Sequence, residues 1–167
     1  MRLCGIMMEK QTLNNLDFAK NERHLASKFD FIAFKRLEEF IEITGTTDAY
    51  VYFELTGNSH QYEHPSLNLK VKADLPMRCQ RCFGIMSVPI SLSFDYLITD
   101  EQLVEMDDVD EVDWLEPSPD MDILALIEDE LLIALPIAPM HPEICKQLNM
   151  ESGEKANPFA VLKDKFK

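Results

Sequence analysis

A chain of 167 residues with 46% apolar and 28% charged side chains has the size and composition of one soluble domain able to bury a real core. No apolar stretch approaches the roughly 20 residues needed to span a bilayer. The apolar run in Met1 to Met8 is stopped by Glu9 and Lys10, short of the roughly 7–15 residues of a secretory signal. The expectation is therefore a cytoplasmic protein with no membrane partner. Four cysteines in that reducing setting favour metal or redox chemistry over structural disulfides. The net charge of −14 is unevenly placed. Fourteen acidic residues and no Lys or Arg lie between Asp100 and Glu130, and the rest of the chain carries sixteen of each sign. That segment is a solvated loop or a surface for a basic partner such as a ribosomal protein. It repels phosphates, which argues against its gripping duplex RNA.

Taken in chain order, residues 12–42 read as two helices. The first runs around Asn14 to Leu25. The second runs from Asp30, as N-cap, to Ile41, with Phe31, Phe34, Leu37 and Ile41 on one face. Gly45 and its neighbouring threonines end this region. The period then becomes two. Ala49, Val51, Phe53 and Leu55 form one alternating run. Leu67, Leu69, Val71, Ala73 and Leu75 form a second, and Val88 to Ile98 a third. Three such runs predict an antiparallel sheet with one face on the core and one in water. Pro89 demands an edge position or a strand start, and Trp114-Leu115 reads as a short added strand. Ser118-Pro119 reads as the start of a long helix near 119–135 with Ile123, Leu124, Ile127 and Leu131 along its apolar stripe, ended by Pro136. This helix is expected to lie across the sheet. Residues 147–167 read as a polar spacer and a short C-terminal helix starting at Asn157-Pro158. The expected architecture is thus a single α+β domain over 1–146, an antiparallel sheet covered by helices.

The residues with chemical character are few. Cys79-Gln80-Arg81-Cys82 ends the second alternating run, and His141-Pro142-Glu143-Ile144-Cys145 follows a proline-stiffened stretch. Two thiols at C-x-x-C spacing hold one edge of a zinc tetrahedron, and an imidazole with a third thiol closes it. Cys79, Cys82, His141 and Cys145 are therefore the candidate ligands of a structural zinc; the competing reading is small apolar cysteines under a hairpin. His141-Pro142-Glu143 has the H-x-E form of zinc deaminases, but its order relative to C-x-x-C is reversed and the helical context is missing. The βαβ context of a thioredoxin-like site is missing too, as are phosphate-binding glycine motifs. Lys70, Lys72, Arg78 and Arg81 form a weak basic strip able to touch RNA phosphates. His24, His60 and His64 are isolated.

Four segments together resemble one family: Met77 to Cys82, Asp122 to Pro136, Pro139 to Cys145 and Asn157 to Leu162. In that order they are similar to the bacterial YceD family of large ribosomal RNA subunit accumulation proteins. The likeness covers the C-terminal half well and the N-terminal third in pattern alone. It implies a non-enzymatic ribosome-biogenesis role in the synthesis, processing or accumulation of large-subunit (23S) ribosomal RNA. No catalytic residue is carried over. The implied partner is that RNA or its precursor; an adaptor consistent with the charge pattern meets a basic ribosomal protein or processing factor through its acidic segment, while Lys70, Lys72, Arg78 and Arg81 face RNA. The alternative is a metal-assisted RNA-processing enzyme.

Overall fold

The computed structural model describes residues 12–42, 50–59, 64–99, 112–143 and 145. Strand β1 (Thr12–Leu13) leads into helix α1 (Asn15–Lys20), followed by β2 (His24–Asp30) and two 3-10 turns, Phe31–Ala33 and Leu37–Glu39. Then come β3 (Tyr50–Asn58), β4 (Ser66–Arg78), β5 (Ile85–Ile98), β6 (Val112–Leu115), β7 (Met121–Asp122) and helix α2 (Ile123–Ala134). One five-stranded sheet has the order β2-β3-β4-β5-β6, and β1 pairs with β7 separately. The first four strands are antiparallel; β6 joins β5 in parallel.

The alternating runs produce this sheet by the simplest rule of strand geometry. Odd residues of β4 from Leu67 to Met77 are buried, while Lys70, Lys72 and Asp74 are exposed. Val51, Phe53 and Leu55 of β3 continue the buried layer. Gly57 extends the same face, where a Cβ would sit 2.5 Å from the Phe18 carbonyl oxygen. Its missing side chain lets α1 lie against the sheet. Pro89 is opposite Asp74 on β4, in the part of β5 that β6 does not reach. Its missing N–H therefore breaks no ladder on the open side. Trp114 and Leu115 form the expected added strand, opposite Leu97 and Ile98.

The helix-covered α+β expectation is wrong. The described chain is mostly strand, with two α-helices. In the N-terminal region, α1 ends at Lys20, and His24–Asp30 is a strand paired with β3 along its full length. Phe29 stacks on Phe53 at 5.1 Å between ring centres. The predicted second helix is two 3-10 turns. Phe31, Phe34, Leu37 and Ile41 are all buried, because three- and four-residue spacing turns side chains inward in a 3-10 turn as well. Asp30 does cap, accepting from the Ile32 N–H at 3.1 Å.

Helix α2 begins at Ile123, not near 119. Its N-cap is Asp122, which accepts from the N–H groups of Leu124 and Ala125 at 3.1 and 3.2 Å. Ser118 exchanges hydrogen bonds with Asn15, whose N–H donates to the Ser118 carbonyl and whose Oδ1 accepts from the Ser118 N–H. Pairing of Met121-Asp122 with Thr12-Leu13 then keeps the chain extended up to the cap. Ile123, Ile127 and Leu131 face the core, contributing about 1.5–3 kcal/mol each. Leu135 is extended at ψ 130° before Pro136, ending the helix as expected. Polar groups fix the helix in place. Glu128 accepts from the Arg36 N–H at 2.8 Å, Asp129 pairs with Arg36, and the Tyr96 hydroxyl donates to Glu130 at 2.8 Å. Asp122, Glu128, Asp129 and Glu130 of the acidic segment thus serve the fold. Residues 100–111, the Gly45 turn, His60 and the expected tail helix lie outside the described residues.

Candidate metal centre

The site begins with strand parity. Cys79 is the next odd position after Met77 and is fully buried at the end of the β4 core row. The chain then turns: the Cys79 N–H donates to the Gly84 carbonyl at 2.9 Å, and the Phe83 N–H donates to the Cys79 carbonyl at 2.9 Å. Phe83 takes the left-handed conformation, φ 58°, which costs an ordinary side chain about 1–2 kcal/mol. This tight turn folds Cys82 back beside Cys79. On the other side, the stretch after α2 returns to the hairpin tip, where the Pro139 carbonyl accepts from the Gln80 N–H at 2.8 Å.

The convergence is close. One donor atom from each of Cys79, Cys82, His141 and Cys145 lies within 4.8 Å of every other. The Cys79 and Cys145 sulfurs are 3.8 Å apart, and Cys82 Sγ is 3.5 Å from His141 Nδ1. Three sulfurs and one imidazole in one small volume form a group able to bind a metal ion. No carboxylate among the described residues joins it.

The electrostatics favour anionic sulfur at two of the three positions. Burial pushes the Cys79 thiol up, but hydrogen bonds from backbone N–H groups, the Arg81 N–H first, outweigh it and bring it down to about 5. Burial likewise opposes ionisation of Cys145, whose thiol is held below its ordinary value by the Arg81 guanidinium and by His141. The Gly84 N–H pulls Cys82 down, yet burial and the other two sulfurs leave it raised. Hydrogen bonds to Cys145 and Cys79 raise His141.

Arg81 has a role that its place between the cysteines did not reveal. Its Nε donates to Cys145 Sγ at 2.9 Å, and its terminal nitrogen donates to the carbonyls of His141 at 3.0 Å and Glu143 at 2.5 Å. Its backbone N–H also reaches Cys79 Sγ at 3.4 Å. The guanidinium therefore binds the returning segment to the hairpin and balances sulfur charge. The other residues of the basic strip have separate surroundings. Arg78 pairs with Glu42 at 2.8 Å, whereas Lys70 and Lys72 are exposed on the open face of β4. His24 is exposed on β2 and His64 is half-buried, both outside the donor group.

Comparison with known proteins locates this arrangement in a family. The model described as "Large ribosomal RNA subunit accumulation protein YceD" matches residues 67–164, a span that contains all four donors. The chain is also similar to the Large ribosomal RNA subunit accumulation protein YceD of Haemophilus influenzae. They are 31% identical over 105 residues, covering 56% of this chain and 60% of that relative. No solved structure matches the chain. Among the described residues, no helix is long and apolar enough to cross a membrane.

Proposed function

The chain belongs to the YceD family, and from that premise we propose that it is a non-enzymatic ribosome-assembly factor supporting accumulation of large-subunit ribosomal RNA. The match across residues 67–164 is the observation that carries this reading. Depleting the protein from its native cells then lowers mature large-subunit RNA relative to small-subunit RNA, and the wild-type chain restores it. An unchanged ratio would reject the role. The protein acts as an adaptor between precursor RNA and a basic ribosomal protein or processing factor, in the cytoplasm. Crosslinking in cells recovers such partners, and recovery of neither class removes the adaptor.

The donor group holds a structural zinc. Tetrahedral coordination at about 2.3 Å for sulfur and about 2.0 Å for nitrogen separates two sulfurs by about 3.8 Å and a sulfur from a nitrogen by about 3.5 Å. The Cys79–Cys145 and Cys82–His141 separations match those two values. Cys79, Cys82, His141 and Cys145 would complete the shell, fastening the segment after α2 to the hairpin tip. Metal-assisted hydrolysis needs an open coordination position and nearby acid–base groups. Four protein donors, with no neighbouring carboxylate among the described residues, support the structural role over the RNA-processing alternative. Native mass spectrometry of protein purified without chelator checks this: one zinc per chain is expected, and the metal-free mass defeats it.

A further inference from the structure

The sheet has a core face and an opposite face that is exposed from Lys28 across Tyr52 and Lys72 to Ser91, although Ser66 and Leu97 at one end of it are buried. On that open face the register aligns Lys28 with Tyr52, Tyr52 with Lys72, and Lys72 with Ser91. One row across four strands therefore reads cation, aromatic, cation, hydroxyl. The next row reads Ala26, Glu54, Lys70 and Ser93. Tyr52 is 54% exposed, although an edge-on contact with Tyr50 at 6.4 Å steadies its ring. Lys28 Nζ lies 3.5 Å from the centre of the Tyr50 ring and 5.9 Å from that of Tyr52, so the aromatic pair and the ammonium form one surface.

The charges are the second observation. Arg23, Arg36 and Arg78 each pair with a carboxylate, and Arg81 is committed to the donor group. By contrast, Lys28, Lys70 and Lys72 make no ion pair among the described residues. In a chain of net charge −14, and with Asp30, Glu54 and Asp74 exposed on the same face, these three ammonium groups without an ion pair among the described residues flank an exposed ring and offer an aromatic, anionic ligand a stacking surface beside cations. Strand spacing of about 4.8 Å puts the backbones of Lys28 and Lys72 about 10 Å apart with the ring between them. A nucleotide whose base stacks on the ring would have phosphates within reach on both sides.

We propose that this face, built on Tyr52 with Lys28, Lys70 and Lys72, binds single-stranded RNA. The inference rests on the assembly role above and deepens it by naming the RNA-contacting surface. Base stacking on exposed aromatics with flanking cations is a general way for a sheet to hold an unpaired strand. Duplex RNA presents no free base face to Tyr52, and three lysines neutralise too few phosphates to hold it against the chain's overall charge. Serines at 91 and 93 add hydroxyl groups able to hydrogen-bond the sugar–phosphate backbone.

Fluorescence anisotropy of the full-length protein with a labelled 15-nucleotide unstructured RNA tests this, using an equal-length duplex for comparison. The wild type should bind the single strand and discriminate against the duplex. Tyr52→Ala should weaken binding about 5- to 150-fold, while Tyr52→Phe, which keeps the ring, retains it. Each lysine changed to alanine should reduce the dependence of log affinity on log salt by about 0.7. All these side chains are on an open face, so circular dichroism should show unaltered folding. Failure of the wild type to bind, equal binding of the duplex, or an unaffected Tyr52→Ala variant would overturn the inference. So would crosslinks from this face to ribosomal proteins alone. Those results leave the assembly role standing, because that role is read independently from ribosomal RNA ratios in depleted cells.

Discussion

Between Ser66 and Leu75 the β4–β5 hairpin is held by a dry aliphatic layer, with Leu67, Leu69, Val71 and Leu75 fully buried. At its tip the same hairpin closes around three sulfurs, an imidazole and a guanidinium, while Phe83 and Ile85 remain about half exposed. The first end draws its stability from apolar area removed from water. The second depends on polar convergence, which is sensitive to protons, chelators and the loss of any one donor. The lesson is that the sheet and the site can be perturbed separately, although they share two continuous strands.

The sharpest separation should come from Cys79→Ala. It removes a donor without inserting bulk, so stoichiometric zinc should be lost in native mass spectrometry. Hydrogen exchange should rise around residues 79–84 and 139–143 while β3 and the central part of β4 stay protected. The converse is Leu69→Ala, which opens a cavity in the layer. It should cost about 2–5 kcal/mol, lowering the melting temperature by about 4–20 °C, while the folded protein still carries one zinc.

Arg81 tests the site from its outer shell. Arg81→Lys keeps a charge but loses the planar donors that reach Cys145 and two carbonyls. Zinc affinity in a chelator competition should fall about 10–100-fold. Acid should act in the same direction, since a bound metal requires deprotonated ligands. His141, raised above its ordinary value, takes a proton early as pH falls. Cys79, held down to about 5, takes one late. Zinc should therefore be lost progressively as pH falls below neutrality. Zinc content that does not fall on acidification would show that these protonatable donors do not hold the metal. Smallest is Asp122→Ala, which removes the α2 cap and should cost about 0.5–2 kcal/mol by chemical denaturation without changing zinc content.

Much of the central sheet was legible because alternation is a local property. The odd positions from Leu67 to Leu75 needed no partner strand to identify their buried face, and parity extends that row to Cys79. The donor types were legible too, since thiols at C-x-x-C spacing limit the plausible chemistry. Residues 24–41 were not. Their apolar spacing suits both an α-helix and 3-10 turns, and nothing in His24–Asp30 alone reveals that β3 offers it seven residues of pairing. The start of α2 was misplaced for a similar reason. Ser118-Pro119 has good helix-starting residues, but Asn15 and β1 hold that segment extended from far along the chain.

The sequence by itself determined the strand faces, the stripe of α2 and the chemical identity of the four donors, because each follows from residue type and short spacing. Tertiary structure decided that the N-terminal region becomes a sheet edge, that Arg81 turns inward to Cys145, and that His141 and Cys145 reach the hairpin. The physical reason is range. Periodicity is set by rotations about neighbouring bonds, whereas convergence depends on which distant segments gain more by packing together than by remaining in water.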